Sequence, residues 1–150
     1  MTPRRNKSRK QSAASSSAKR PEPAVVYLDE SIYSRILCEA LESAAIIVRR
    51  PRVDVAVGTP DAEWLAMAGA QRWIVLMRDQ RVRRRPLEMK ALQNAGVGAF
   101  VLNAGQATAQ STADVILAKL PKILNIVRSE RKPFLYTLTL AGTLSRVKIR

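Results

Sequence analysis

Acidic residues stand at the ends of two apolar segments, where their side chains could meet. Asp29 and Glu30 close the segment "AVVYLDE", and Asp79 closes "WIVLMRD". Asp61 opens a helical pattern in "GTPDAEWL", with Glu63 as its substitute two residues later. Neighbouring carboxylates repel each other unless a proton or a cation neutralises them, and oxygen-only ligands select hard ions. The sequence therefore predicts a Mg²⁺ or Mn²⁺ site with these metal-binding and catalytic residues: Asp29, Asp61 and Asp79, with Glu30 as an additional metal ligand.

Each acid also has a structural alternative. Asp61, in the first turn of a helix, could simply complement the helix dipole. Asp79, directly after a strand, could start a turn. A purely structural role is less common for an acidic pair between a strand and a helix, which is where Asp29 and Glu30 lie. Taken together on one edge of a sheet, the acids favour a metal site.

Arginines crowd around Asp79 in "RDQRVRRR". Guanidinium groups bind phosphate oxygens in bidentate geometry, so they could hold an RNA or DNA backbone near the metal. A solvated charged loop is the alternative, although cations this close repel one another unless acids or a polyanion lie nearby. We interpret the following residues as nucleic-acid-binding: Arg78, Arg81, Arg83, Arg84 and Arg85.

The composition restricts the class of protein. The 150 residues are 47% hydrophobic, enough for one domain with a real core, and carry a net charge of +14. A chain this basic favours a polyanionic partner, either a nucleic acid or an acidic membrane surface. With no histidine and only Cys38, a histidine-dependent triad, a zinc site and an internal disulfide are excluded, and a reducing cytoplasm is expected. No apolar run approaches the ~18 residues that cross a bilayer, so no membrane partner is expected.

The N-terminal segment differs from the rest of the chain. Its first twenty residues contain seven Lys/Arg and no acid, which is half of the net charge of +14. Residues 1–22 are therefore predicted to be a disordered basic tail. Two uses stay open for this tail, a phosphate-binding arm and a solubilising extension.

From Pro23 onwards, strand patterns alternate with helix patterns. Short apolar segments rich in β-branched residues, typical of strands buried on both faces, occur at 24–30, 46–48, 73–77 and 98–103. The alternation predicts an α/β fold with a mostly parallel sheet and helices on both faces, over residues 23–132. Residues 133–150 are predicted to form a C-terminal β-hairpin that packs on this domain or extends it. The glycines match no nucleotide-binding fingerprint, which argues against a nucleotide-binding Rossmann or P-loop enzyme.

Three local features of the helices are also predicted. Ser31 is expected to cap the first helix, and Thr59 to cap the second with Pro60 as its first residue. Pro121 is expected to kink the long helix that begins after "QATAQ".

Four segments, in this order and spacing, resemble the PIN-domain nucleases: "YLDES", "GTPDAEWL", "WIVLMRDQRVRRRPLE" and "VGAFVLNAG". The resemblance covers about residues 24–132 and is nearest to the VapC-type toxins of bacterial toxin–antitoxin systems. It implies a three-layer α/β/α sandwich and a Mg²⁺- or Mn²⁺-dependent ribonuclease. It matches Asp29, Asp61 and Asp79 to the carboxylates of the family site, with Glu30 and Glu88 as supporting members.

The chain departs from that family pattern at two positions. The family usually has a threonine before the basic–Asp pair, where this chain has Met77. It also often has a fourth acid at the end of the next strand, where this chain has Asn103. A hydroxyl that could orient a carboxylate is therefore lost, and the site carries less negative charge.

Three functions come into consideration for such a chain. The first is a metal-dependent endoribonuclease that acts as the toxin of a toxin–antitoxin system. The second is a non-catalytic nucleic-acid-binding protein that uses the same basic surface. The third, a receiver-like signalling domain, needs a lysine just after a late strand, and "FVLNAGQAT" has none.

The expected partners are RNA and a cognate antitoxin. The C-terminal hairpin would leave an edge strand to which another chain could add. A homodimer contact or an ordinary sheet edge is the alternative for that strand.

Overall fold

The computed structural model describes residues 23–78 and 86–149, with only the backbone described at residues 86–88. Within this part of the chain there are six strands and four helices. In chain order they are β1 (Val25–Leu28), α1 (Arg35–Ser43), β2 (Ile47–Arg49), α2 (Asp61–Gln71), β3 (Ile74–Arg78), α3 (Pro86–Ala95), β4 (Gly98–Asn103), α4 (Ala109–Ser129), β5 (Phe134–Thr139) and β6 (Leu144–Val147).

The strands form one sheet in the order β2-β1-β3-β4-β5-β6. Strands β1 to β5 are parallel, and β6 runs antiparallel to β5. The predicted α/β fold with a mostly parallel sheet is confirmed. The winding direction reverses at β1, because β2 lies on one side of β1 and β3 on the other. A crevice for a ligand is expected at such a reversal, at the carboxyl ends of β1 and β3.

Two apolar cores cover the two faces of the sheet. Successive residues of a strand point to opposite faces, so Val26 and Leu28 belong to one core and Tyr27 to the other. The first core is closed by α1 and α4, and it contains the buried Cys38. The second is closed by α2 and α3. Burial on both faces explains why the strands appear as continuous apolar runs in the sequence.

The C-terminal hairpin extends the sheet. Strand β5 pairs with β4 along its whole length, from Gly98 opposite Phe134 to Asn103 opposite Thr139. Strand β6 then pairs only with β5 and forms one edge of the described sheet. The predicted β-hairpin is thus confirmed.

Both predicted N-caps were wrong. Helix α1 begins at Arg35 and is capped by Ser34, whose hydroxyl accepts from the Leu37 N–H at 3.0 Å. The hydroxyl of Ser31 is instead used at the end of β1, where residues 29–33 form a turn before the helix. At α2 the cap position is occupied by Pro60, without a side-chain cap, and Thr59 donates its hydroxyl proton to a loop carbonyl, that of Ala56.

Helix α4 continues from Ala109 to Ser129 with Pro121 inside it. The N-terminal tail, residues 1–22, lies outside the described residues. In the part of the chain that is described, no helix is both long enough and apolar enough to span a membrane.

Candidate functional site

A cavity of about 630 Å³ opens at the carboxyl ends of β1 and β3, where the winding of the sheet reverses. Three of the predicted site acids line it: Asp29 and Glu30, directly after β1, and Asp61, the first residue of α2. The loop that joins β2 to α2 forms one wall. The fold therefore brings together acids that are about thirty residues apart in sequence.

The carboxylate of Asp29 is held in place by Ser31. Its Oδ2 atom accepts from the backbone N–H of Ser31 at 3.1 Å and from the Ser31 hydroxyl at 2.5 Å. The same hydroxyl accepts from the backbone N–H of Arg78, the last residue of β3, at 3.0 Å. Ser31 thus connects the ends of the two strands and holds one oxygen of Asp29. No other donor among the described residues is bonded to this carboxylate.

Asp61 is held by an aromatic side chain. Its Oδ1 atom accepts from the indole N–H of Trp64, one turn later in α2, at 2.9 Å. The ring of Trp64 is buried and lies 5.2 Å from the ring of Tyr27, which also stacks on Trp73 at 5.8 Å. Because Trp64 is anchored in the core, it gives Asp61 a defined orientation at the cavity rim.

The phenol of Tyr27 lines the cavity, and the surrounding acids act on its pKa. Burial first, and then the negative charges of Asp29, Glu30, Asp54 and Asp61, raise the pKa of Tyr27 well above its ordinary value. The phenol therefore stays protonated at neutral pH. Carboxylates from the turn after β1, from the loop after β2 and from α2 thus all act on this phenol.

Glu30 makes an ion pair across the cavity mouth. Its Oε2 atom accepts from the Nε–H of Arg52 at 2.7 Å, and both side chains are largely exposed. Arg52 belongs to the loop between β2 and α2 and lines the same cavity. The carboxylate predicted to support a metal is therefore engaged by an arginine.

Arg78, predicted to bind nucleic acid, makes contacts within the protein. Its guanidinium donates to the Ser31 carbonyl at 3.2 Å, to the Gly105 carbonyl at 3.2 Å and to the Thr112 hydroxyl at 3.3 Å. These acceptors belong to the turn after β1, the loop after β4 and helix α4. The side chain, which also lines the cavity, thus connects these three segments and leaves few donors for a phosphate.

The described donors supply part of a metal site. Within residues 23–78 and 86–149, no three acidic or cysteine side chains lie close enough together to hold a metal ion. Asp29 and Asp61 are oxygen donors of the type that Mg²⁺ and Mn²⁺ prefer, and each has one carboxylate oxygen bonded to a protein donor. The predicted third ligand, Asp79, lies outside the described residues.

Other predicted residues also fall outside the described part of the chain. They comprise four of the arginines after Asp79 and the side chain of one supporting acid: Arg81, Arg83, Arg84, Arg85 and Glu88.

The two departures from the PIN pattern have different surroundings. Met77 is buried, lines the cavity and packs in the core formed with α2 and α3. Asn103 is exposed at the end of β4, paired in register with Thr139. The hydroxyl absent at Met77 is present nearby at Ser31, which bonds Asp29 directly.

Three residues of this site were not found from the sequence. Tyr27 could have been recognised, because it is two residues before Asp29 and so points to the same face of β1. Ser31 was assigned to a helix cap instead. Arg52 had no local signal, since its partner Glu30 is 22 residues away.

The segment that forms the cavity also matches a known protein family. Residues 24–104, more than half of the chain, match the PIN like domain family. This match contains β1 to β4 and all three described acids of the cavity. The chain therefore belongs to the PIN-like domain family. No curated protein and no solved structure matched the chain.

Proposed function

We propose that this chain is a divalent-metal-dependent endoribonuclease that hydrolyses RNA phosphodiester bonds. The observation that carries the proposal is the shared cavity of Asp29 and Asp61 at the carboxyl ends of β1 and β3, in a chain of the PIN-like family. A ligand is expected at that edge in a sheet whose winding reverses, and carboxylate oxygens there are donors that Mg²⁺ and Mn²⁺ prefer.

Asp29, Asp61 and Asp79 are assigned as the catalytic, metal-binding residues. When bound, Mg²⁺ or Mn²⁺ would supply positive charge at the scissile phosphate and at the attacking water. Ser31 and Trp64 orient the first two carboxylates by bonding one oxygen of each, which leaves the other oxygen for a ligand. Arg81, Arg83, Arg84 and Arg85 are assigned to the RNA backbone, because guanidinium groups pair with phosphates in bidentate geometry.

The test is cleavage of a varied set of RNAs with Mn²⁺, compared with the same reactions in EDTA. We expect Asp29→Asn, Asp61→Asn and Asp79→Asn each to lower the cleavage rate at least about 100-fold, as expected when a preorganised charge at the reacting group is lost. Asp114→Asn is the matched control, since Asp114 is bonded to Gln110 on α4 and does not line the cavity. Circular dichroism and thermal melting verify that each variant is folded. Intact RNA after incubation with wild type and Mn²⁺ would show that the catalytic assignment is wrong.

The finer part of the proposal is that the nuclease is a VapC-type toxin acting in the cytoplasm, neutralised by a cognate antitoxin. Edge strand β6 is the surface that we assign to an antitoxin or to a second copy of the chain. Induced expression of wild type should arrest growth, whereas Asp79→Asn should not. Equal, unimpaired growth of both strains would contradict the toxin role.

A non-catalytic RNA-binding function is the second candidate. It is favoured by the internal engagement of the acids, because Asp29, Glu30 and Asp61 each accept a hydrogen bond from the protein, and by the absence of a metal-binding trio within the described residues. Under this candidate, RNA binding persists in all three aspartate variants and no cleavage occurs with Mn²⁺.

A further inference from the structure

The loop between β2 and α2 presents Arg52 at the cavity mouth in a defined position. Arg52 has φ of 71°, a left-handed conformation that residues with a Cβ rarely adopt. Its N–H donates to the Val55 carbonyl at 2.8 Å, and the buried Val55 anchors the loop in the core. Asp54 closes the same turn through a 2.8 Å bond from the Arg50 N–H. Such a conformation persists only where its surroundings enforce it, so the fold specifies the place of Arg52.

The ion pair between Arg52 and Glu30 contributes little to the stability of the fold. The two side chains are 69% and 53% exposed, and pairs in that environment contribute little to folding because water and salt screen them. The bond nevertheless joins the loop to the end of β1, directly across the cavity mouth. An enforced backbone position combined with a weakly stabilising contact indicates a use in binding.

Most N–H donors of the Arg52 guanidinium have no acceptor among the described residues. Glu30 accepts from its Nε–H, and no other acceptor among the described residues is bonded to its guanidinium. The other arginine that lines the cavity, Arg78, already donates to three protein acceptors. A guanidinium has five N–H donors in a planar fork that matches the oxygens of a carboxylate or a phosphate. Within the described residues, Arg52 is thus the cavity arginine that can accept a phosphate.

We propose that Arg52 binds a phosphate of single-stranded RNA at the cavity mouth, and that Glu30 occupies the place of that phosphate in the RNA-free protein. The inference rests on the proposed function and deepens it, because it names the residue that brings the RNA backbone past the acids. Asp29 and Asp61 repel a polyanion, and Arg52 offsets this repulsion once RNA displaces Glu30. Glu30 in turn competes with RNA, so weak anions do not occupy the site.

This exchange has a signature that a structural ion pair lacks. For a structural pair, loss of the arginine charge and loss of the glutamate charge change RNA binding only by the general electrostatic effect, and the two changes are independent of each other. If Glu30 competes with phosphate, both changes exceed that general effect and each depends on the other partner. Arg52→Ala weakens RNA binding, whereas Glu30→Gln strengthens it. In a chain that already carries Arg52→Ala, the gain from Glu30→Gln largely disappears, because no arginine remains to be released.

The experiment measures binding of a fluorescein-labelled single-stranded RNA to the full chain by fluorescence anisotropy, in EDTA and at several salt concentrations. We expect Arg52→Ala to weaken binding about tenfold and to lower the slope of log K against log salt by about 0.7, as for one lost phosphate contact. Glu30→Gln should tighten binding several-fold. Arg52→Gly, which suits the left-handed backbone, should match Arg52→Ala and guards against a folding defect.

Arg35→Ala and Glu39→Gln are the matched controls. These residues form an exposed pair of the same type on α1, at 3.1 Å, and do not line the cavity. They make the same changes of charge, so they measure the general electrostatic effect. The proposal is overturned if the Arg52 and Arg35 variants bind alike, if Arg52→Ala and Glu30→Gln shift affinity in the same direction, or if wild type binds no RNA. Wild type that binds RNA through Arg52 but leaves it intact with Mn²⁺ overturns the nuclease and upholds this inference.

Discussion

The hydroxyl of Ser31 has two partners at the junction of β1 and β3. It donates to Asp29 Oδ2 and accepts from the backbone N–H of Arg78. In the PIN pattern a threonine next to the basic–Asp pair could orient a carboxylate, and Met77 occupies that position in this chain. Ser31 supplies a hydroxyl from the other strand end, so the loss at Met77 does not leave Asp29 without an orienting donor.

Ser31→Ala should therefore lower the free energy of unfolding by about 1–3 kcal/mol, because a hydrogen bond to a charged group is lost and the Arg78 N–H loses its acceptor. Ser31→Thr keeps the hydroxyl and should cost clearly less. Urea denaturation followed by circular dichroism measures both. The control is Ser129→Ala, which should change stability by less than about 0.5 kcal/mol. Among the described residues, the Ser129 hydroxyl bonds only the Asn125 carbonyl, on an exposed helix end. Equal effects at residues 31 and 129 would show that the Ser31 contacts do not matter.

Helix α2 packs very closely against α3 at Gly69. A Cβ built on Gly69 would lie 2.0 Å from the backbone oxygen of Ala95 in α3, so the two helices touch along their backbones. Because α2 also carries Asp61 and Trp64, this close contact helps to set the position of the acid at the cavity rim.

Gly69→Ala should destabilise the fold by about 1–3 kcal/mol, since the helices must move apart. The sign is informative, because in a helix without such a contact the same change stabilises by about 1 kcal/mol. The neighbouring exposed Ala70→Gly measures that intrinsic preference in the same helix. Thermal and urea unfolding of both variants decide the matter, and a more stable Gly69→Ala chain would mean that α2 and α3 are not in backbone contact.

At the scale of the whole molecule, the charge is strongly positive and unevenly distributed along the sequence. The net charge is +14, and the first twenty residues carry half of it. A phosphate-binding arm would attract a polyanion that the acids of the cavity repel. A solubilising extension would need only the charge and no contact.

Deletion of residues 1–20 distinguishes these two uses of the tail. If the tail is a phosphate-binding arm, RNA affinity falls and the slope of log K against log salt decreases by as much as about 5, at about 0.7 for each of its seven cations. The Arg52→Ala effect should persist in the shortened chain, because the folded domain forms that contact. An unchanged slope with lower solubility would identify a solubilising extension.

Much of this fold could be predicted from local sequence. Strands buried on both faces produce continuous apolar runs, and helices produce their own period, so the alternation of elements and the mostly parallel sheet followed directly. The acids at Asp29 and Asp61 were also identifiable, because an acid that ends a strand or begins a helix is visible in the sequence. The caps at Ser31 and Thr59 were predicted wrongly, since a hydroxyl can serve several neighbouring acceptors and donors and the sequence does not rank them.

The sequence by itself thus determined the elements, the charge and three of the acids that line the cavity, Asp29, Glu30 and Asp61. Only the tertiary structure decided which groups meet there. Glu30 bonds Arg52 across 22 residues, and Ser31 bonds Arg78 across 47, through contacts that depend on the reversal of the winding at β1. Local patterns in the sequence reflect the burial and conformation of each segment. A hydrogen bond between distant residues depends on the order of the strands in the sheet, and local patterns do not contain that order.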